Sequence, residues 1–306
     1  MEVLVVFRDI CLPIFVIIGL GCLLDRKVQF DLRTLVRLNL YVVVPAFIFV
    51  QITMSSLAGD QALRVVLFCL AMIVSLFVLG ELVGRLSGMK PEARRSLQMA
   101  AMFYNSGNYG LPLMTLAYPG IGPVLQVFVL LTQNITTFTA GLLIASQGGG
   151  KRGWKVWLPV LRQGTLWAVA IALVLKSLQI PVQAWPWVWE PLRYLSNAMI
   201  GVALFTLGVQ LAKTDHRGLL QRLTGALFLR LLAAPVIGWL LVPWFGFEGD
   251  AAEVLILGTG VPTAVNISLL AHEFRADHQY LAGAVFYSTL FSIVTVTLLT
   301  WLLKVF

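Results

Sequence analysis

Charged residues are scarce in this sequence, and the places that lack them exclude whole classes of protein. Only 12% of the 306 residues are Asp, Glu, Lys or Arg, 59% are hydrophobic, and the mean hydropathy is +0.88. Those values fall outside the range of soluble globular domains. No polar stretch is long enough for a soluble domain, so the chain reads as an integral membrane protein. Cys11, Cys22 and Cys69 lie inside apolar runs without paired spacing, which argues against a disulfide framework or a thiolate metal site. His272-Glu273 followed by His278 lacks the His-Glu-x-x-His spacing that would put two ligands on one helix face, so no metal or cofactor is expected. The formal net charge of +8 is spread among short loops rather than gathered on one face, and nucleic acid is not an expected partner.

The apolar runs recur along the whole chain. Each is about 20 residues long, the length an α-helix needs to cross roughly 30 Å of hydrocarbon. Ten are placed, at 3–24, 34–54, 63–84, 95–118, 122–145, 157–178, 192–211, 221–243, 251–273 and 280–303. The first ends at Leu24-Asp25-Arg26, without the small-residue site of a cleaved signal peptide, and reads as a permanent helix. Alternate loops on one side carry Arg26, Lys27, Arg33 and Arg37, then Arg85, Lys90, Arg94 and Arg95, then Lys151, Arg152 and Lys155, then Lys213, Arg217 and Arg222, and finally Arg275. The other side offers only Arg64, Lys176 and Arg193. The positive-inside rule then predicts a plasma (inner) membrane protein with both termini outside the cytoplasm.

Two runs are interrupted at their centres. Asn105-Ser106-Gly107-Asn108-Tyr109-Gly110-Leu111-Pro112 breaks the fourth, and Gly258-Thr259-Gly260-Val261-Pro262-Thr263-Ala264-Val265-Asn266 breaks the ninth. Glycine costs a helix about 1 kcal/mol and proline about 3 kcal/mol relative to alanine. A bilayer protein therefore keeps such clusters where the freed backbone lines a protected cavity. Pro112 and Pro262 are expected to open second half-helices, because a missing N–H costs nothing in a first turn, and the preceding halves are expected to end near Ser106 and Gly258. Each restart carries roughly half a positive charge. Two such ends would attract an anion, and the neighbouring amides and hydroxyls could hold a carboxylate. A plain packing kink is the competing reading of either break taken singly.

Gly110-Leu111-Pro112 matches Gly260-Val261-Pro262, and Asn39 in the second run matches Asn197 in the seventh. The features return five helices later, an odd number, so the second copy must thread in the opposite sense, as in inverted-repeat transporters. The expected fold is an all-α integral membrane protein of ten transmembrane helices. Residues 1–146 form one five-helix repeat, 147–156 a short cytoplasmic linker rich in Gly, Lys and Arg, and 157–306 the inverted second repeat, with helices 4 and 9 crossing at the midplane.

Arg230, flanked by Leu229, Leu231 and Leu232, is the deepest formal charge. It either serves a substrate or gate or snorkels to the boundary. Glu81 and Arg85 read as an i,i+4 interfacial pair, and Arg162 and Lys176 as snorkelling residues. Gln133, Asn134, Thr136, Thr137 and Asn39 read chiefly as helix-packing glue, and His272 as a headgroup-facing residue with a protonation role left open. No Asp or Glu falls in the central third of any run, where a cation pump or sodium/proton antiporter needs one.

The two interrupted motifs, with ten runs and external termini, make the whole chain resemble the auxin efflux carrier family, whose bacterial members are similar to the plant PIN carriers. The resemblance implies two inverted five-helix repeats, an arrangement like that of NhaA and the bile-acid symporters, with substrate bound beside the crossover of helices 4 and 9. It implies transport of organic anions, auxin-like or small dicarboxylates such as malonate or malate, and a homodimer by family analogy. The short connection between the fifth and sixth runs departs from the plant pattern. Asn105, Asn108, Gly110 and Pro112 carry over from the first motif, and Pro262, Thr263 and Asn266 from the second. Gly107, Gly260 and Arg230 complete the expected substrate site on chemical grounds. The reading is a secondary carrier of small organic carboxylates in a lipid bilayer, with the coupling ion, proton or sodium, left open. Its rivals are a cation antiporter on the same fold and an intramembrane enzyme, for which no nucleophile, base or metal constellation is found.

Overall fold

The computed structural model describes residues 2–55, 59–145, 164–214, 218–274 and 277–305. The expected linker 147–156, Arg162, Arg217 and Arg275 lie outside the described residues, as do the side chains of His272 and Glu273. Helices account for nearly everything described. Seven are long and apolar enough to cross a membrane: α1 Val3–Val28, α2 Leu32–Met54, α3 Gly59–Leu86, α6 Ile121–Gly141, α8 Pro186–Ala212, α9 Leu220–Phe245 and α12 His278–Val305. The shorter α7, Gly164–Ser177, is equally apolar. Two broken pairs complete the set: α4 Pro91–Met102 with α5 106–117, and α10 Gly249–Thr259 with α11 Val265–Phe274.

Outward faces are apolar where a soluble protein would be polar. Leu63, Leu67, Leu70, Val74, Phe77 and Leu82 run along α3 at helical spacing and are all exposed, as are Phe228, Leu232, Val236 and Trp239 on α9. Such stripes suit contact with lipid rather than water.

Inside, apolar residues fall into two buried clusters. The larger draws on α1, α3, α4, α6, α9, α10 and α12, with Leu204 and Leu207 of α8. The smaller joins Val43–Ile52 of α2 to Ala168, Val169 and Ala172 of α7 and to Trp189, Met199 and Ala203 of α8, with Leu111, Val127 and Leu130 reaching in from α5 and α6. The closest helix pair is α1 with α8. It is made possible by Gly21 facing Gly208: a Cβ on Gly208 would strike the carbonyl of Ile18, and one on Gly21 the carbonyl of Phe205. Small residues let membrane helices approach closely, since lipid offers no hydrophobic drive to helix association. The Cys22 thiol donates to the Gly208 carbonyl at 2.9 Å, and Lys213 pairs with Asp25 at 3.0 Å at the ends of the two helices.

At the helix ends the expected interfacial pairs are present. Arg85 meets Glu81 at 2.6 Å, and Arg94 approaches the same carboxylate at 3.5 Å. Lys176 reaches the end of α2, donating to the Ser55 carbonyl at 2.6 Å and to its hydroxyl at 2.9 Å.

Four helices contain a π-turn followed by proline, a pattern the sequence expectations missed. The turns Phe7–Cys11, Asn39–Val43, Ser106–Gly110 and Leu229–Ala233 precede Pro13, Pro45, Pro112 and Pro235 by the same two residues. A proline ring clashes with the carbonyl four residues earlier and supplies no N–H. One widened turn absorbs both defects without ending the helix.

Gly208→Ala tests the α1–α8 contact. The new methyl overpacks a backbone-to-backbone approach, a change that costs about 1–3 kcal/mol. The melting temperature of the detergent-purified protein should fall accordingly, whereas Gly201→Ala on the same helix, where a Cβ meets nothing, should leave it unchanged or slightly raised.

Candidate functional site

The two breaks meet. Tyr104 and Thr263 form an isolated antiparallel bridge: the Asn105 N–H donates to the Pro262 carbonyl at 2.8 Å, and the Ala264 N–H to the Phe103 carbonyl at 2.9 Å. Each extended segment thus satisfies the other's backbone where a membrane supplies no water. The Thr263 hydroxyl donates to Ala100 O at 2.9 Å, and its N–H to the Ser288 hydroxyl at 3.0 Å.

The bounds of the breaks differ from expectation. The first half-helix ends at Met102 rather than near Ser106, and its partner restarts at Ser106 rather than at Pro112. The second break runs from Thr259, close to the expected Gly258, to Val265, so Pro262 sits in extended backbone instead of opening a helix. Pro112 lies within a continuous helix beyond its π-turn, and so does not mark the helix start that its residue type suggested.

A cavity of about 50 Å³ lies beside this bridge. One wall is Tyr104, Asn105, Ser106, Gly107 and Asn108 with Ala264, Val265 and Asn266, which places the first turns of α5 and α11 against the same space. Leu130, Gln133, Asn134 and Thr137 of α6 continue it. Facing them are Val36, Asn39, Leu40 and Val44 of α2, Thr165 of α7 and Gln210 of α8. No Asp, Glu, Lys or Arg is among these residues. Three π-turns, those beginning at Asn39, Ser106 and Thr137, touch the cavity.

Hydrogen bonds fix how two of the amides point. Asn105 caps α5, its Oδ1 accepting from the Asn108 N–H at 3.2 Å, and Gln133 Oε1 accepts from the Tyr104 N–H at 3.4 Å. A main-chain N–H can only donate, so each oxygen is held toward the backbone, and Asn105 Nδ2 and Gln133 Nε2 are left as buried donors with no hydrogen bond among the described residues. Across the cavity, Asn39 Nδ2 donates to Asn108 Oδ1 at 2.8 Å, while Asn39 Oδ1 and Gln210 Oε1 are likewise buried without a partner. Leaving such groups unpaired costs about 1–3 kcal/mol each; a bound solute offering acceptors would remove that penalty for Asn105 Nδ2 and Gln133 Nε2, while Asn39 Oδ1 and Gln210 Oε1 call for a donor.

Of the ten expected site residues, Asn105, Gly107, Asn108 and Asn266 line this cavity. Gly110, Pro112, Gly260, Pro262 and Thr263 stand behind it and shape the backbone. A Cβ on Gly110 would collide with Gln126 Nε2, which donates to the Ser106 carbonyl at 2.9 Å, and one on Gly260 would meet Leu299 at 2.6 Å. Arg230 is fully buried but away from the lining; it contacts the main chain of α4 and α10. The matched asparagines do not share surroundings, for Asn39 is buried at the cavity and Asn197 is exposed.

The family described as membrane transport protein matches residues 6–300, nearly the whole chain. The chain belongs to the auxin efflux carrier family. Two archaeal proteins are similar to this carrier over most of their length. One, from Methanothermobacter thermautotrophicus, is 25% identical over 269 residues, covering 88% of each chain, and one from Methanocaldococcus jannaschii is 24% identical over 277 residues, covering 86% of this chain and 87% of its own. Both are described as uncharacterized transporters. Gln210 and Thr165 of the carrier escaped the sequence reading. Gln210 stands near the end of its apolar run, where a polar residue is ordinary, and Thr165 is a lone threonine within the run 157–178.

Pro112→Ala tests the role of the π-turn. With the N–H restored and the ring gone, residues 106–110 can tighten to an α-helical turn, rotating Asn105 and Asn108 relative to the cavity. Transport by the carrier should fall at least tenfold while its melting temperature changes by only a few degrees; unchanged transport would show that the turn does not set the site.

Proposed function

We propose that this carrier is a secondary transporter of small organic carboxylates working by alternating access. One observation carries the reading: two helix N-termini and the locked amide donors of Asn105 and Gln133 converge on a single cavity whose described lining residues include no charged side chain. First-turn N–H groups have no intrahelical acceptor, and each N-terminus bears roughly half a positive charge. A carboxylate matches such donors, whereas a metal cation would face the positive ends of two helices with no Asp or Glu among the described lining residues to offset them.

The position of the cavity supports the transport mode. It lies between the smaller buried cluster, built on α2, α7 and α8, and the crossover helices with α6. The hydrogen bond from Asn39 to Asn108 crosses that seam. In this reading α4, α5, α10 and α11 carry the solute while α2, α7 and the first half of α8 remain as scaffold, so that a shift along the seam exposes the site to either side in turn. The inverted five-helix repeats 1–146 and 157–306, the plasma-membrane location with external termini, and a homodimer belong to the same proposal. They are supported by the paired breaks and by the distribution of basic residues.

Purified protein in liposomes should accumulate at least one member of a carboxylate panel that includes malonate and indole-3-acetate, with imposed proton, sodium and potential gradients distinguishing the coupling. Failure with every member under every gradient would end the proposal. Asn105→Ala and Gln133→Leu should each weaken binding of the transported carboxylate about tenfold or more, since a hydrogen bond to a charged group contributes about 1.5–3 kcal/mol. Asn108→Ala should suppress uptake without loss of expression.

A further inference from the structure

Arg230 is a cation in the interior of the protein whose neighbours include no anion. It sits on the π-turn Leu229–Ala233 and is completely buried. No carboxylate pairs with it among the described residues. Its Nη1 donates to the Ala101 carbonyl at 2.7 Å and its Nη2 to the Thr259 carbonyl, groups that belong to the last turns of α4 and α10. The guanidinium also lies over the Tyr104 ring, 4.9 Å from its centre. Tyr104 is both a partner in the crossover bridge and a lining residue of the cavity.

The chemistry of this arrangement calls for a cation with at least two donors. A helix C-terminus leaves carbonyls without intrahelical donors and carries roughly half a negative charge. Two such ends together amount to about one unit, which a single guanidinium balances while its fork bonds one carbonyl of each helix. With the C-termini neutralised inside the protein, the two N-termini at the cavity keep their positive character for a ligand.

We propose that Arg230 is the positioning residue of the binding site: it ties the last turns of α4 and α10 into one unit and so holds the N-termini of α5 and α11 around a common cavity. The assignment rests on the carboxylate reading for its functional consequence, and on geometry alone for its structural one. Two readouts separate the two. Hydrogen exchange of peptides covering 103–110 and 261–268 reports the crossover hydrogen bonds of Asn105 and Ala264 without any ligand. Equilibrium binding of malonate, with indole-3-acetate as a second probe, reports the site.

In full-length protein purified in detergent, Arg230→Met should raise exchange in those two peptides at least tenfold while α1, α3 and α8 keep their protection. Arg230→Lys, which retains the charge, should stay within about threefold of the wild type. Probe binding should weaken at least tenfold in the Met variant and recover in the Lys variant. If the Met variant fails to fold, Arg230→Gln, which can donate to one carbonyl but carries no charge, takes its place under the same criteria. Unchanged crossover exchange in the uncharged variant would overturn the proposal, and so would equal loss in the Lys and uncharged variants, because volume rather than charge would then hold the crossover. A wild type that binds neither probe, with exchange behaving as expected, would count against the carboxylate reading and leave the positioning role standing.

Discussion

Backbone that is neither helix nor closed barrel has nowhere to place its N–H and C=O groups inside hydrocarbon, and this constraint organises the centre of the carrier. Of the residues between Met102 and Ser106 and between Thr259 and Val265, Phe103, Gly260 and Val261 still bond back to their own half-helices, and the two segments must satisfy one another for the rest. They bond to each other, Asn105 to Pro262 and Ala264 to Phe103, and the leftover carbonyls of Ala100, Ala101 and Thr259 are taken by the Thr263 hydroxyl and by Arg230. Each unsatisfied group would cost several kcal/mol in lipid. Neither break is tolerable without the other.

From that pairing the polarity of the site follows. Two helices that stop and restart at one point bring together two C-termini and two N-termini. In this fold the two kinds of end are sorted, the carbonyl ends toward Arg230 and the amide ends toward the cavity. The sorting needs no charged residue in the cavity lining. A field built from main-chain dipoles is rigid with respect to side-chain motion, and no Asp, Glu, His, Lys or Arg is among the described lining residues to make it depend on pH near neutrality.

How much of this could be read from residues alone divides along physical lines. Glycine and proline clusters announce a break because their backbone costs are local; the second break holds Gly260 and Pro262, whereas the first, at 103–105, lies just before Gly107, Gly110 and Pro112, which stand in a continuous helix. The restart points were displaced because proline was given the first helical position, which is its commonest use. Pro112 instead follows a widened turn and Pro262 sits in extended backbone, and a π-turn carries no fixed residue signature, since the one at Thr137–Gly141 has no proline after it. The direction in which a polar side chain points depends on helix rotation, which tertiary packing sets. Asn39, Gln133, Asn134 and Thr137 therefore read as packing glue in one dimension and line a cavity in three. Arg230 stood out as a deep charge, but its partners are carbonyls 129 and 29 residues away in sequence. Main-chain acceptors leave no trace in residue type.

The two buried clusters bear on how a site so firmly stitched could still be exposed alternately. The crossover's own contacts are main-chain hydrogen bonds and a buried guanidinium, interactions that do not slide. The contacts across the seam are different: apolar surfaces of α2 and α7 meet Leu111, Val127 and Leu130, and among the described residues one side-chain hydrogen bond joins Asn39 to Asn108. Apolar packing is non-directional, and one neutral hydrogen bond contributes about 0.5–1.5 kcal/mol net. The structure is thus stiff within the crossover and weak along one surface beside the cavity. In the proposed cycle, a unit that keeps its N-termini fixed while its flank moves would retain its anion-recognising geometry throughout, which a site assembled from flexible side chains on both flanks would lose at each shift.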